Sequence, residues 1–216
     1  WRFSAHFRSI LFIHMAFCYV KLTADLSFLQ TIINGISLID RLELAFKVPA
    51  TGKNKPVVYN TYNLMGVDFG FRDVITITGD LCMPSIFKYR ASNELSWLFN
   101  QINQKQKAEY YATISARLKN LIPELFYDEN GMLRASTGKS SQPDVWSTAL
   151  AVYFGIIDGT QLEKTSRYLT DAYLKGILAY NGNIRHILTT DDFNDSTAWE
   201  FSYAQTRESI KGALLN

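Results

Sequence analysis

Acidic residues set beside aromatic rings recur three times in this chain of 216 residues. The first group is Gly66-Val-Asp-Phe-Gly-Phe-Arg-Asp73, in which Asp68 and Asp73 are interleaved with Phe69, Phe71 and Arg72, and a run from Thr76 to Asp80 follows. The second contains Gln142 and, at the expected mouth of a helix, Asp144 with Trp146 close behind it. The third extends from Gly182 through Arg185, His186 and Asp191-Asp192 to Trp199 and Glu200. Glycosidic cleavage needs a proton donor and a carboxylate base or nucleophile across the scissile bond. Carboxylates also accept sugar hydroxyls, and rings cover the apolar face of a pyranose. Each group has a plainer reading too. Asp73 or Asp80 would serve as a helix cap, His186 as a hydrogen-bonded structural imidazole, and the rings as core, since each buries a large area.

Other chemistries fit less well. Gly138-Lys139-Ser140 has the end of a phosphate loop, but Leu133 stands where the motif needs its first glycine. No Gly-x-Ser-x-Gly elbow occurs, which argues against an esterase-type serine. Three scattered histidines and two distant cysteines, Cys18 and Cys82, offer neither ligand spacing for a metal nor a disulfide framework. Neither a cofactor nor a metal is therefore expected. A formal net charge of +2 without a long basic run lacks the footprint of a nucleic-acid binder. The apolar run from Ile10 to Val20 falls short of the roughly 20 residues that span a bilayer, so a membrane partner is not expected either. The compartment is not encoded in any visible signal.

The elements that would position the acidic groups read as helices. With 47% hydrophobic and 19% charged residues, the chain has enough apolar side chains for a real core, and residues 1–216 read as a single domain. Apolar residues recur at helical steps from Ser4 to Lys21, from Leu26 to about Phe46, from Pro84 to Ile102 and from Gln104 to Phe126. Further helices are expected from Asp144 to Ile157, from Thr160 to Tyr180 and from about Thr197 to Leu215, with a short extended piece at Met132–Ala135. Residues 47–83 carry Pro49, Pro56 and several glycines without a sustained helical period, and read as a long connection. Strongly apolar helices alternating with amphipathic ones suit two concentric rings. The expectation is an all-α fold, an (α/α) toroid of helical hairpins with the long loops on one rim.

Taken in order, Val67–Asp73, Thr78-Gly-Asp80, Tyr89-Arg-Ala91, Ala135-Ser-Thr-Gly138, Gln142–Trp146 and Ala198-Trp-Glu200 resemble the six-hairpin glycosidase superfamily, relatives of α-L-rhamnosidase and glucoamylase catalytic domains. The resemblance implies an (α/α)6 barrel that hydrolyses O-glycosidic bonds of an oligosaccharide or glycoconjugate, usually with inversion. Carried over position by position, it makes Asp144, Glu200, Asp68 and Asp73 the candidate acids and bases. The preferred pair is Asp144 with Glu200, and Asp68 and Asp73 would hold sugar hydroxyls. Phe69, Arg72, Gln142, Trp146, Arg185, His186 and Trp199 would line the substrate site. Such barrels have twelve helices and this sequence supplies about seven. The expected partners are therefore a carbohydrate and either a second chain or a further segment that completes the ring; the alternative is an inactive carbohydrate-binding or scaffold protein.

Overall fold

The computed structural model of the chain describes residues 5–52, 54–61, 75–138, 141–185, 188 and 201–202. The chain begins with helix α1 (Ala5–Thr23), which stops where Ala24 takes a left-handed φ of 58°. Asp25 then accepts from the Ser27 and Phe28 N–H groups at 3.0 and 3.3 Å, which starts the short helix α2 (Ser27–Gln30).

A single helix from Leu26 to Phe46 is expected from the apolar spacing, but the chain breaks it. Strands β1 (Ile32–Ile33) and β2 (Ile36–Ser37) form an antiparallel hairpin, and helix α3 (Leu38–Lys47) follows. The cause is Asn34-Gly35, with φ of 48° and 77°. Two left-handed residues in succession are what a type I′ hairpin turn needs, and Asn-Gly between isoleucines supplies them at little strain. Ser37 caps α3 by accepting from the Asp40 N–H at 3.2 Å.

The long connection is also partly strand. In chain order come β3 (Thr51–Gly52), β4 (Lys55–Asn60), β5 (Ile75–Thr76) and β6 (Gly79–Asp80). Three of these form an antiparallel sheet in the order β3-β4-β6, with Tyr59 opposite Asp80 and Asn60 opposite Gly79. Helices α4 (Cys82–Gln101), α5 (Lys105–Phe126), α6 (Val145–Tyr153) and α7 (Gly159–Leu174) follow. The last of these ends before Gly176 at φ 72°, short of the expected Tyr180. Strands β7 (Ala179–Tyr180) and β8 (Asn183–Ile184) then turn through Asn181-Gly182 at φ 47° and 82°, a second hairpin of the same kind. Within the expected helix from Thr197 to Leu215, the described residues form an extended strand, β9 (Phe201–Ser202), which pairs with β5.

The all-α toroid is therefore corrected to a mixed structure of helices and small antiparallel sheets. Hydrophobic periodicity alone pointed to helices. The two Asn-Gly turns and the β-branched run at Val57-Val58 were the competing signals, and they prevail because register and turn chemistry are satisfied locally.

The centre of the fold is α4, which packs against α1, α3, α5, α6 and β4. One cluster of buried side chains joins Ile13, Leu29, Leu42, Leu95 and Phe99, and a second joins Val57, Ile86, Leu118, Phe126 and Ala151. Each of these side chains larger than alanine contributes about 1.5–3 kcal/mol by leaving water. Helix α1 departs from the fully interior place that its all-round apolar sequence predicts, since Met15 is 62% and Leu22 85% exposed.

Candidate functional site

The start of α4 is where distant parts of the chain cross. Strand β4 runs beside β6, and the Leu81 N–H donates to the Val58 carbonyl at 2.8 Å. From the other side comes the segment after Met132. Its Ala135 carbonyl accepts from the Cys82 N–H at 3.0 Å, and Leu81 bridges Ser136. Thr137 locks onto Asp80 twice. The Asp80 N–H donates to Thr137 Oγ1 at 2.9 Å and the Thr137 N–H donates to the Asp80 carbonyl at 3.1 Å. This crossing requires Gly79, whose φ is 88°. A Cβ there would stand 2.6 Å from the Gly138 nitrogen.

Between these strands lies a cleft of about 570 Å³, lined by Lys55, Tyr59, Asn60, Thr78, Asp80 and Thr137 among others. Lys55 Nζ donates to Asp80 Oδ2 at 2.6 Å, with both side chains partly open to solvent. Asn60 is buried and fixes the cleft wall by donating through Nδ2 to the Ile77 carbonyl at 2.9 Å. The cleft thus offers a carboxylate acceptor, an ammonium donor, hydroxyls of both kinds and one aromatic ring. Among the described residues Asp80 is the one carboxylate that lines it.

The sequence-derived candidates take several places. Asp144 is fully buried at the N-terminus of α6, where it accepts from the Ser147 N–H at 3.0 Å and from Ser147 Oγ at 2.6 Å. Its own N–H donates to the Leu133 carbonyl at 2.7 Å. This is helix capping in a closed environment, and it holds the carboxylate away from the cleft lining. Gln142 is buried, and its backbone carbonyl accepts from the Ala135 N–H at 2.9 Å. Trp146 donates through Nε1 to the Ile184 carbonyl at 3.4 Å and packs on the cluster of Met132, Val145, Ala172 and Leu178. Arg185 lies over the Tyr180 ring, 4.9 Å from its centroid. Trp146 therefore joins the second acidic segment to the third, whereas Arg185 packs within its own hairpin. Asp68, Phe69, Arg72, Asp73, His186, Trp199 and Glu200 lie outside the described residues. The β5–β9 pair brings the chain after the first acidic segment against the chain after the third, with Thr76 opposite Phe201.

Lys55, Tyr59 and Asn60 escape sequence reasoning because their part of the chain reads as a connection, and Thr137 falls in a segment that the resemblance includes without being a candidate itself. The alternation at the end of β4, where buried Val58 and Asn60 flank the more open Tyr59, is the signal that could have found them. Among the described residues no group of three His, Cys, Asp or Glu side chains is placed to hold a metal ion, and no helix is long and apolar enough to cross a membrane. Burial pushes the carboxyl of Glu94 up, against the opposing pull of His14 and Arg90 on either side of it. That group belongs to the packing of α1 on α4, not to the cleft.

No protein-family model matches the chain, and no curated protein matches it.

Proposed function

We propose that the chain binds a carbohydrate in the cleft between β4 and β6 and hydrolyses an O-glycosidic bond there. The observation that carries this reading is the Lys55–Asp80 pair in a hollow walled by Thr78, Thr137, Asn60 and the Tyr59 ring. Polar groups of fixed orientation around a ring suit a ligand with many hydroxyls and one apolar face. An ion-paired carboxylate is an acceptor, so Asp80 takes the role of the base that activates water or holds a hydroxyl. The proton donor then comes from Asp68, Asp73 or Glu200, on the acidic segments that the resemblance to six-hairpin glycosidases singled out. Inversion would require the two carboxyl groups to stand roughly 6.5–9.5 Å apart.

A second reading, binding without hydrolysis, is favoured by Asp80 being the one carboxylate lining the cleft among the described residues. A panel of aryl glycosides and a titration with oligosaccharides separate the two. Hydrolysis predicts turnover that Asp80→Asn lowers by about a hundredfold or more, as removal of a catalytic base does, with the melting temperature kept. Binding without turnover supports the second reading. If the intact chain neither binds nor cleaves any sugar, the proposal fails.

A further inference from the structure

A second hollow, of about 420 Å³, shares Gly52 and Lys55 with the cleft and lies where the connection after α3 meets α4 and α5. The charged side chains of its lining are Lys47, Lys55, Lys88 and Arg117, and no carboxylate is among them. Lys55 is neutralised by Asp80. For Lys47, Lys88 and Arg117 no carboxylate lies within ion-pair distance among the described residues.

Lys88 is the informative member. It sits in the middle of α4 and is only 4% exposed. Its Nζ donates to the Phe46 carbonyl at 3.1 Å and the Pro49 carbonyl at 3.5 Å, and stands 4.3 Å from the centroid of the Phe46 ring. Two carbonyls and a ring face solvate an ammonium but leave its charge uncompensated, which is costly so far from water. Burial accordingly holds its pKa down at about 8. Across the hollow, Arg117 on α5 donates through Nη2 to the Asn54 carbonyl at 2.6 Å, so its position is fixed as well. A buried ammonium and an anchored guanidinium, with Lys47 beside them, form a preset cationic lining.

We propose that this hollow binds a phosphate group, either free or carried on a small organic molecule. Near neutral pH a phosphate brings one to two negative charges and several strong acceptor oxygens, which match an arginine fork and point-like ammonium donors. The volume admits one such group with a small organic remainder. A nucleic acid would need a far more extended basic surface than a chain of net charge +2 provides. The inference is independent of the carbohydrate reading, because Asp80, Thr78 and Thr137 take no part in it.

The test is calorimetric titration of the whole chain, at low ionic strength, with inorganic phosphate, a hexose 6-phosphate and the unphosphorylated hexose. Saturable one-to-one binding of phosphate is expected, weakened about tenfold or more in Lys88→Met and in Arg117→Gln, since a hydrogen bond to a charged group is lost in each. Lys119→Gln, exposed and paired with Asp158, should bind as the parent does. Tighter binding of the hexose phosphate than of phosphate assigns the group to an ester, and equal binding assigns it to the free ion. If Lys88→Met does not fold, Arg117→Gln carries the comparison. Absence of saturable phosphate binding overturns the inference. So does an equal loss in Lys119→Gln, which would mean diffuse attraction to surface charge. Binding of the unphosphorylated hexose as tight as that of its phosphate would show that the phosphate is not what is recognised, and overturns the inference as well.

Discussion

Replacing Asp144 distinguishes a capping carboxylate from a catalytic one. The side chain is fully buried and accepts two hydrogen bonds from Ser147, one from the backbone and one from the hydroxyl. Loss of an N-cap costs about 1 kcal/mol. The Ser147 hydroxyl is itself fully buried, and stranding a buried polar group costs a further ~1–3 kcal/mol. Asp144→Ala should therefore destabilise by about 2–4 kcal/mol. Asp144→Asn, which still accepts at the helix terminus and is nearly as good a cap, should lose roughly 1 kcal/mol or less. Urea unfolding followed by circular dichroism reads both. With an m-value on the order of 3 kcal/mol/M for a chain of this size, the alanine midpoint should fall by about 1 M. If the parent chain hydrolyses a glycoside as proposed, the same two proteins should differ in stability and not in turnover per folded molecule. A loss below about 0.5 kcal/mol in Asp144→Ala would refute the capping argument. A dead but fully stable Asp144→Asn would return this residue to catalysis.

One further prediction concerns the second hollow and another the cleft. Burial lowers the Lys88 ammonium from 10.5 to about 8. Its folded value lies below its unfolded one, so the unfolded chain holds more protons between those two pH values. The destabilisation is complete below about pH 8 and is relieved as the pH climbs to 10.5, a gain of about 3 kcal/mol from this group. Urea midpoints measured across that window should rise more steeply for the parent than for Lys88→Met, and parallel curves would show that Lys88 is solvated well enough to keep its proton. Gly79→Ala places a methyl 2.6 Å from the Gly138 nitrogen at a φ of 88°, and should cost about 1–3 kcal/mol. A thermal melt checks the cost, and loosened binding of any ligand in the cleft should accompany it because Thr137 moves with Gly138.

Much of the helical frame is legible in the sequence. The pattern at Ile86, Leu95, Leu98 and Phe99 marks α4, Gln104–Phe126 marks α5 within a residue, and the expected mouth of a helix at Asp144 matches the start of α6. The small sheets are less legible. A strand of two residues such as β6 has no period to detect, and its existence rests on partners at Tyr59 and Asn60 some twenty residues earlier. The Asn-Gly turns at residues 34–35 and 181–182 were readable, but the apolar spacing around them mimics a helix. The candidate site divides in the same way. Thr78-Gly-Asp80 and Ala135–Gly138 stand out in the sequence through the resemblance, whereas their mutual crossing and the Lys55 partner are not visible there.

By itself the sequence determined which stretches could be helical, where the glycines must relieve the backbone, and that acids stand near rings in three separate places. These are local properties, set by propensity, capping and turn chemistry within a few residues. Tertiary structure alone decided that Asp144 is enclosed while Asp80 faces a cleft, and that Lys88 is buried without a counter-charge. Exposure and pairing depend on which distant segment lies across from a side chain. Two aspartates, each within two residues of a helix start, therefore come to lie in different surroundings.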